Sequence, residues 1–422
     1  MDFSLSSSLV GSAVLNANKL SLDLQFAADK TLTARKGPTP VFTRASTATF
    51  VGSNGLIQSA SVNAARFDHD PIILACKGLL IEESRTNSIT GSNAFNTWTM
   101  SSSTVAASSV STPEGTADAW KVVEDILLAG HTATRSFSAV SGTTYTASVW
   151  IKSAENGFAF VGMTSAAGAF SGAAFISVNL STGAVTTATG SPVGATSVSY
   201  SNGWFRVSFS LTAIATFSSL IDIRLSRDGI WANRSYLGNG VNGMYCYGAQ
   251  VEAGSFATSY IPTATSSVVR SADVCSITGS AFSGFYNNFA GTIVAVSSAV
   301  GFATSNNSIV AIDSGTTAVL RLFNRTAQGN RLSSQVSSVL LTPAANYNTA
   351  NVVYKSAISA DAAGADFVID GTQIPDSYTG ASLSADNLKF TGASGSTSNN
   401  TITSFRYYKK RLPVAKLQAL TV

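Results

Sequence analysis

Two stretches of strict period-two alternation constrain this chain more than any other feature. After Thr143, the side chains of Tyr145, Ala147, Val149 and Ile151 fall on one side, and those of Thr144, Thr146, Ser148 and Trp150 on the other. After Gly203, Phe205, Val207, Phe209 and Leu211 share a face opposite Trp204, Arg206, Ser208 and Ser210. Such segments are half-buried strands of antiparallel sheets, with one face packed. Asn54-Gly55, Asn202-Gly203, Asn239-Gly240, Asn242-Gly243 and Asp370-Gly371 punctuate the chain. These dipeptides suit hairpin turns, because both central residues of a type I′ turn take positive φ. Helical periodicity is nearly absent. The pattern predicts an all-β protein built of antiparallel β-sandwiches.

A length of 422 residues predicts two or three units at roughly 100–200 residues per domain. Only 11% of residues are charged, well below the roughly 25% of ordinary soluble domains. The net charge of +4 is spread over a neutral, hydroxyl-rich chain, and Lys409-Lys410-Arg411 is the one compact basic cluster, read as a solvated loop. This argues against nucleic acid as a partner. Mean hydropathy is positive at +0.22, yet no run of about 18 apolar residues predicts membrane insertion. Asp2 stands where a secretory signal would carry a base, so no signal peptide is expected. Cys76, Cys246 and Cys275 are odd in number and lack C-x-x-C spacing, which favours buried free thiols over disulfides or zinc.

Three segments carry family resemblances. Phe42-Thr43-Arg44-Ala45-Ser46-Thr47-Ala48-Thr49-Phe50, Arg66-Phe67-Asp68-His69-Asp70-Pro71 and Gly78-Leu79-Leu80-Ile81-Glu82-Glu83-Ser84-Arg85-Thr86-Asn87 together resemble the head segment of tailed-bacteriophage virion proteins: tail fibres, head fibres and receptor-binding components. Tyr245 to Pro262, containing Gly248-Ala249-Gln250-Val251-Glu252-Ala253-Gly254 and Thr258-Ser259-Tyr260-Ile261-Pro262, resembles the last strand of carbohydrate-binding-module-like jelly rolls in phage proteins. The order Gly291–Val296, Ala365–Gly371, Ile402–Tyr408 resembles a concanavalin-A-like lectin sandwich. The expected organisation is therefore an N-terminal virion-attachment segment over 1–87, a jelly-roll sandwich over 88–264 and a concanavalin-A-like sandwich over 265–422. A helix is expected over Leu412–Leu420, with Pro413 in its first turn and Val414, Leu417 and Leu420 on its docking side.

In so charge-poor a chain, the head segment is a local concentration of charge. Arg44 and Arg66 carry planar forks suited to carboxylates, and Asp68, Asp70, Glu82 and Glu83 offer partners, with His69 and Arg85 beside them. This predicts a network fixing the segment against the first sandwich or a neighbouring subunit.

Candidates for chemistry are few. His69 between Asp68 and Asp70 reads as a turn exited by Pro71, with no second His or Cys at ligand spacing, so no metal is expected. His131 reads as a loop residue, and no Gly-x-Ser-x-Gly elbow is present. Gly238-Asn239-Gly240-Val241-Asn242-Gly243 matches G-x-G-x-x-G by letter, but a strand-like Met244-Tyr245-Cys246-Tyr247 follows instead of a helix. Asp222 with Asp228, and Asp361 with Asp366, read as edge or turn carboxylates, although such loops could also hold Ca²⁺. No catalytic residue and no cofactor are expected, and the chain is expected not to be an enzyme.

What remains is recognition. Trp150 and Trp204 fall on the hydrophilic faces of their strands, and Trp231 lies among Asn233, Arg234 and Tyr236. A flat aromatic beside polar groups suits a sugar ring, and the same residues equally suit packing against loops, a sheet or a subunit. The resemblances imply a virion fibre or spike, assembled in the host cytoplasm and held to other virion proteins by its N-terminus. They further imply a homotrimer binding host surface polysaccharide. The alternatives are a purely structural decoration, collar or tail protein, and a polysaccharide depolymerase.

Overall fold

The computed structural model describes residues 20–302, 306–314, 318–325, 329, 331–337, 339–343, 347, 349–375, 383–390 and 398–422. The Ser-rich stretch from Ser4 to Leu9, expected to dock on a particle, lies outside them. The protein is all-β, with two antiparallel sandwiches and three short helices among the described residues.

In the first sandwich, one sheet runs in the order Val193–Ser199, Phe205–Thr212, Thr144–Ser153, Gly243–Ala253, Trp120–Glu124, Ser103–Ala107. Its partner runs Val185–Thr189, Ala174–Asn179, Phe158–Thr164, Phe217–Ser226, Thr132–Ala139, Thr99–Ser101. The two alternating stretches pair antiparallel, Thr144 with Thr212 through Ile151 with Phe205. Their apolar sides, Tyr145, Ala147, Val149, Ile151, Phe205, Val207, Phe209 and Leu211, enter one core with Val161, Ile176 and Ile223 of the facing sheet. The turn Asn202-Gly203 has both φ values positive, 61° and 76°, as does Asp370-Gly371 at 45° and 73°. Both therefore close their hairpins with the twist that adjacent strands demand.

Among the described residues, the second sandwich has an eight-stranded sheet built around Ala290–Ala299 and Asn400–Tyr408, and a seven-stranded sheet around Asn307–Asp313 and Ala318–Arg325. Residues 20–87 help to build it. Leu20–Leu24 and Cys76–Ile81 both pair with Asn400–Tyr408, Phe67–His69 pairs with Cys76–Ile81, and Val41–Thr43 pairs with Val274–Thr278. Leu22, Leu24, Phe26, Phe42, Leu79 and Ile81 share one core with Ile293, Leu320 and Phe405. The first sandwich is thus inserted between two parts of the second. Its exit is tied to its entry, because Val268–Arg270 pairs with Arg85–Asn87.

The C-terminal helix runs Val414–Thr421 with Pro413 at its N-cap, and Leu417 packs against Val294, Ala357 and Val368. Cys246 and Cys275 are buried free thiols and Cys76 is half-buried. Burial pushes all three thiols up, so they stay protonated at neutral pH. Among the described residues, no helix is long and apolar enough to cross a membrane.

Candidate functional site: a cleft between the two sandwiches

The charges of the head segment converge on a buried hub. Asp273, just after the first sandwich, takes Arg44 Nη1 at 3.1 Å on one carboxylate oxygen and Arg66 Nη2 at 2.5 Å on the other. Glu82 receives Arg66 Nη1 at 2.8 Å and Arg270 Nη1 at 3.1 Å. Its remaining capacity is filled by the Ser259 amide at 2.8 Å and hydroxyl at 2.6 Å. All five charged side chains are buried to 1% exposure or less. Burial alone would raise Glu82, but Arg270, Arg66 and Ser259 outweigh it and hold the carboxyl at about 2. Burial and the neighbouring Arg66 charge lower Arg44, and burial lowers Arg270 even though Glu82 pulls it up.

The closing segment of the first sandwich is held by similar means. Glu252 accepts the Thr258 amide and hydroxyl at 2.6 and 2.7 Å, and Gln250 accepts the Ile261 amide at 2.7 Å. Asn87 accepts the Val251 amide and donates to the Ala249 and Ile261 carbonyls. The spacing of Gln250 and Glu252 puts both side chains on one face of their strand, where they catch the returning backbone.

The hairpin of Ala48–Val51 and Ile57–Ala60 then lies over the outer face of the first sandwich. Beneath it, Val51 and Ile57 form a second core with Trp150, Trp204, Tyr200, Tyr247 and Tyr260. Trp150 and Trp204 are each 1% exposed, and the Trp204 indole donates to the Ser111 carbonyl at 2.8 Å. The expectation that these two rings offer a platform to a sugar is corrected. The hydrophilic face that carries them is covered by the chain's own head segment, so neither ring has a free face.

Between this hairpin and the two sandwiches opens a cleft of about 420 Å³, within the size range of small-molecule sites. Its floor is the outer face of the first sandwich, with Thr196, Ser208, Arg206 and Tyr200. Phe256 and Ser259 form one wall, and Gly301, Phe302 and Asn351 of the second sandwich form another. The Phe256 ring lies so close to Gly301 that a Cβ there would meet it at 2.2 Å. Arg206 lays its guanidinium 4.4 Å from the centre of the Trp150 ring. Burial pushes the Tyr200 phenol up to about 12, against the pull of Arg206. At the mouth, Asp68 accepts the Val51 amide at 2.9 Å and faces Lys77 at 3.6 Å. Burial raises Asp68 by more than Lys77 and that amide lower it.

The other head-segment residues have structural partners. His69 is buried, with Nδ1 3.2 Å from the Val51 carbonyl. Asp70 accepts the amides of Ile72 and Ile73, closing the turn expected at Pro71. Burial would raise its carboxyl, but those amides outweigh it and hold it low. Glu83 pairs with Arg85 at 2.5 Å, and Arg85 also reaches the Ala253 carbonyl and the Phe256 ring.

Trp231, Asn233 and Arg234 do share one turn and Tyr236 opens the strand after it, and none of the four lines the cleft. Their binding groups are largely spent on the protein. Phe175 and Phe160 pack on the Trp231 ring, while Arg234 and Arg224 lie over it at 4.9 and 5.4 Å. Asn233 donates to Asp228 at 2.6 Å and Tyr236 to Glu124 at 2.8 Å. Asp222 is held by Arg224, and Asp361 and Asp366 by Arg411. His131 lies between two strands, as a loop residue, and is fully buried there, bonded to the Ser102 and Tyr236 carbonyls. Among the described residues no group of three or more His, Cys, Asp or Glu is placed to hold a metal.

Sequence reasoning missed Asp273, Arg270 and Ser259 in the hub, and Arg206, Tyr200 and Phe256 in the cleft. Charge scarcity was the available signal for Arg270 and Asp273. In a chain only 11% charged, Arg270 and Asp273, just beyond Thr263-Ala264-Thr265-Ser266-Ser267, are conspicuous.

No family profile matches this chain, and no curated protein matches it. Solved structures similar to it include a Trypanosoma rangeli sialidase in complex with 2,3-difluoro-KDN, at 10% identity and TM-score 0.28 over 96% of this chain and 92% of that one. Another is the covalent intermediate of Trypanosoma rangeli sialidase with 2,3-difluorosialic acid, at 11% identity and TM-score 0.29 over 35% and 25%. The CBM40 of a Ruminococcus gnavus sialidase bound to α2,6-sialyllactose matches at 16% identity and TM-score 0.27 over 32% and 85%. The chain spans about a quarter of the length of the covalent-intermediate structure. Likenesses of this degree carry no argument about mechanism or ligand. One expectation, that the chain is not an enzyme, is corrected: the solved structures similar to it include sialidases.

Proposed function

We propose that this chain is a tailed-bacteriophage virion protein, a fibre or spike of tail or head, that presents its paired sandwiches to host surface glycans. The observation that carries the glycan reading is the cleft. It joins the aromatic rings of Phe256 in its wall and Tyr200 in its floor to hydroxyls on a rigid sheet, the combination a sugar ring needs. The virion reading is supported by the resemblance of residues 20–87 to phage fibre head segments. The N-terminus would dock on other virion proteins. A homotrimer fits the exposed apolar ribbon of Ile126, Leu127 and Leu128 beside Leu237 and Val241, each more than half exposed. Such a patch calls for cover, and repetition would multiply weak sugar contacts.

Purified full-length protein, its mass checked by light scattering against three chains, should bind a related set of bacterial surface glycans on an array, saturably. Substitution of Tyr200 or Phe256 by Ala should reduce that binding at least tenfold. Reducing ends released from the bound glycans, measured on the same samples, report any hydrolysis. A folded oligomer silent across the array would favour a decorating or collar role. That second reading draws on the burial of Trp150 and Trp204, which gives the most prominent aromatic surfaces to packing.

A further inference from the structure

The arginines of the hub and its flank are matched to carboxylates: Arg44 and Arg66 to Asp273, Arg270 to Glu82, Arg85 to Glu83. Arg206 is not. It stands on the strand Phe205–Thr212, opposite Trp150 on one side and Val198 on the other, and it lines the cleft. Its Nη2 donates to the Ser148 hydroxyl at 3.2 Å. Among the described residues no carboxylate forms an ion pair with it, and its Nε is shielded from solvent without a hydrogen-bond partner.

The bond to Ser148 is the hydrogen bond this guanidinium makes among the described residues, so its terminal N–H groups retain donors for a ligand oxygen. Stacking on Trp150 at 4.4 Å fixes the guanidinium plane, so the fork is held in place before any ligand arrives. Planar forks of this kind receive carboxylates through two parallel hydrogen bonds. The other charged side chains of the lining have ion-pair partners. Glu82 is neutralised by Arg66 and Arg270, and Asp68 is set against Lys77. Arg206 is the charged side chain of the lining that has no ion-pair partner among the described residues. Next to it, the Thr196 and Ser208 hydroxyls bond each other at 2.7 Å, and each retains capacity for a further partner.

We propose that the cleft selects saccharides bearing a carboxylate, of the hexuronic-acid class, with the carboxylate received by Arg206 and ring hydroxyls by Thr196 and Ser208. This rests on the reading of the cleft as a glycan site and names the class of glycan. The test is isothermal titration of the full-length protein with digalacturonate, dimannuronate and a glucuronate-containing disaccharide, each beside its carboxyl-reduced counterpart. At least one acid should bind at least tenfold more tightly than its reduced form, and added salt should narrow that gap. Arg206→Gln should abolish the preference while leaving the circular dichroism spectrum unchanged. Arg206→Lys keeps the charge but loses the fork, and should retain only part of it. Should Arg206→Gln fail to fold, the lysine variant and the wild-type comparison decide the question. Equal binding of acid and reduced forms by the wild type, or an undiminished preference in a folded Arg206→Gln, would overturn the proposal and leave glycan binding standing. Silence of every saccharide, here and on the array, would remove both.

Discussion

The Asp273 carboxylate sits between two guanidiniums, and its loss would leave Arg44 and Arg66 buried without that counter-charge. Breaking a buried pair from one side costs about 3–5 kcal/mol, so Asp273→Ala should lower the stability measured by urea unfolding by that order. Glu82 adds a pH dependence. Although burial opposes it, Arg270, Arg66 and Ser259 depress its carboxyl from an ordinary 4.5 to about 2. Between those values the unfolded chain binds more protons than the folded one. The resulting stabilisation, on the order of 3 kcal/mol, is fully present above about pH 4.5 and is lost as pH falls toward 2. Melting temperatures recorded from pH 6 to 2.5 should drop through this window. The drop attributable to this carboxyl should vanish in Glu82→Gln, at the cost of a lower plateau.

At the scale of elements, the hairpin of Ala48–Val51 and Ile57–Ala60 is a cover. Its Val51 and Ile57 seal an aromatic layer that the alternation of two strands would otherwise turn to water. Ile57→Asp puts a charge against that layer and should cost about 2 kcal/mol or more. Tryptophan emission should shift to the red as Trp150 and Trp204 meet water, and an unshifted spectrum in a folded variant would contradict the covering role. These two rings explain why the strands were legible and the site was not. Period-two spacing assigns Trp150 and Trp204 to the face away from the first core, as the structure has it. Spacing carries no information about what lies on that face, and a hairpin some hundred residues earlier in the chain occupies it.

For the whole molecule, the decisive fact is that the head segment gives four strands to the second sandwich while its hairpin covers the first. Truncation experiments must respect this. Removal of residues 1–19 should leave a folded protein that no longer enters particles, if the N-terminus docks as proposed. Removal of residues 1–43 also deletes Leu20–Leu24 and Val41–Thr43, which pair with Asn400–Tyr408 and Val274–Thr278. It should therefore unfold the second sandwich, visible as lost β-signal in circular dichroism. Normal particle incorporation of the shorter truncation would sink the docking assignment.

The sequence by itself determined the class of fold, the faces of its clearest strands, two of the five expected turns (Asn202-Gly203 and Asp370-Gly371) and the C-terminal helix. Each of these depends on neighbours within a few residues, where steric preference and period act directly. It also marked Arg44, Arg66 and Glu82 as members of a charge network. Only the tertiary structure decided their partners. Arg44 and Asp273 are 229 positions apart, and Leu24 and Phe405 pair across nearly the full chain. The cleft is a product of the same closure. Its floor, its walls and its unmatched Arg206 come from segments that meet only when both sandwiches and the head segment are packed together. No local pattern of residues encodes a cavity made in that way.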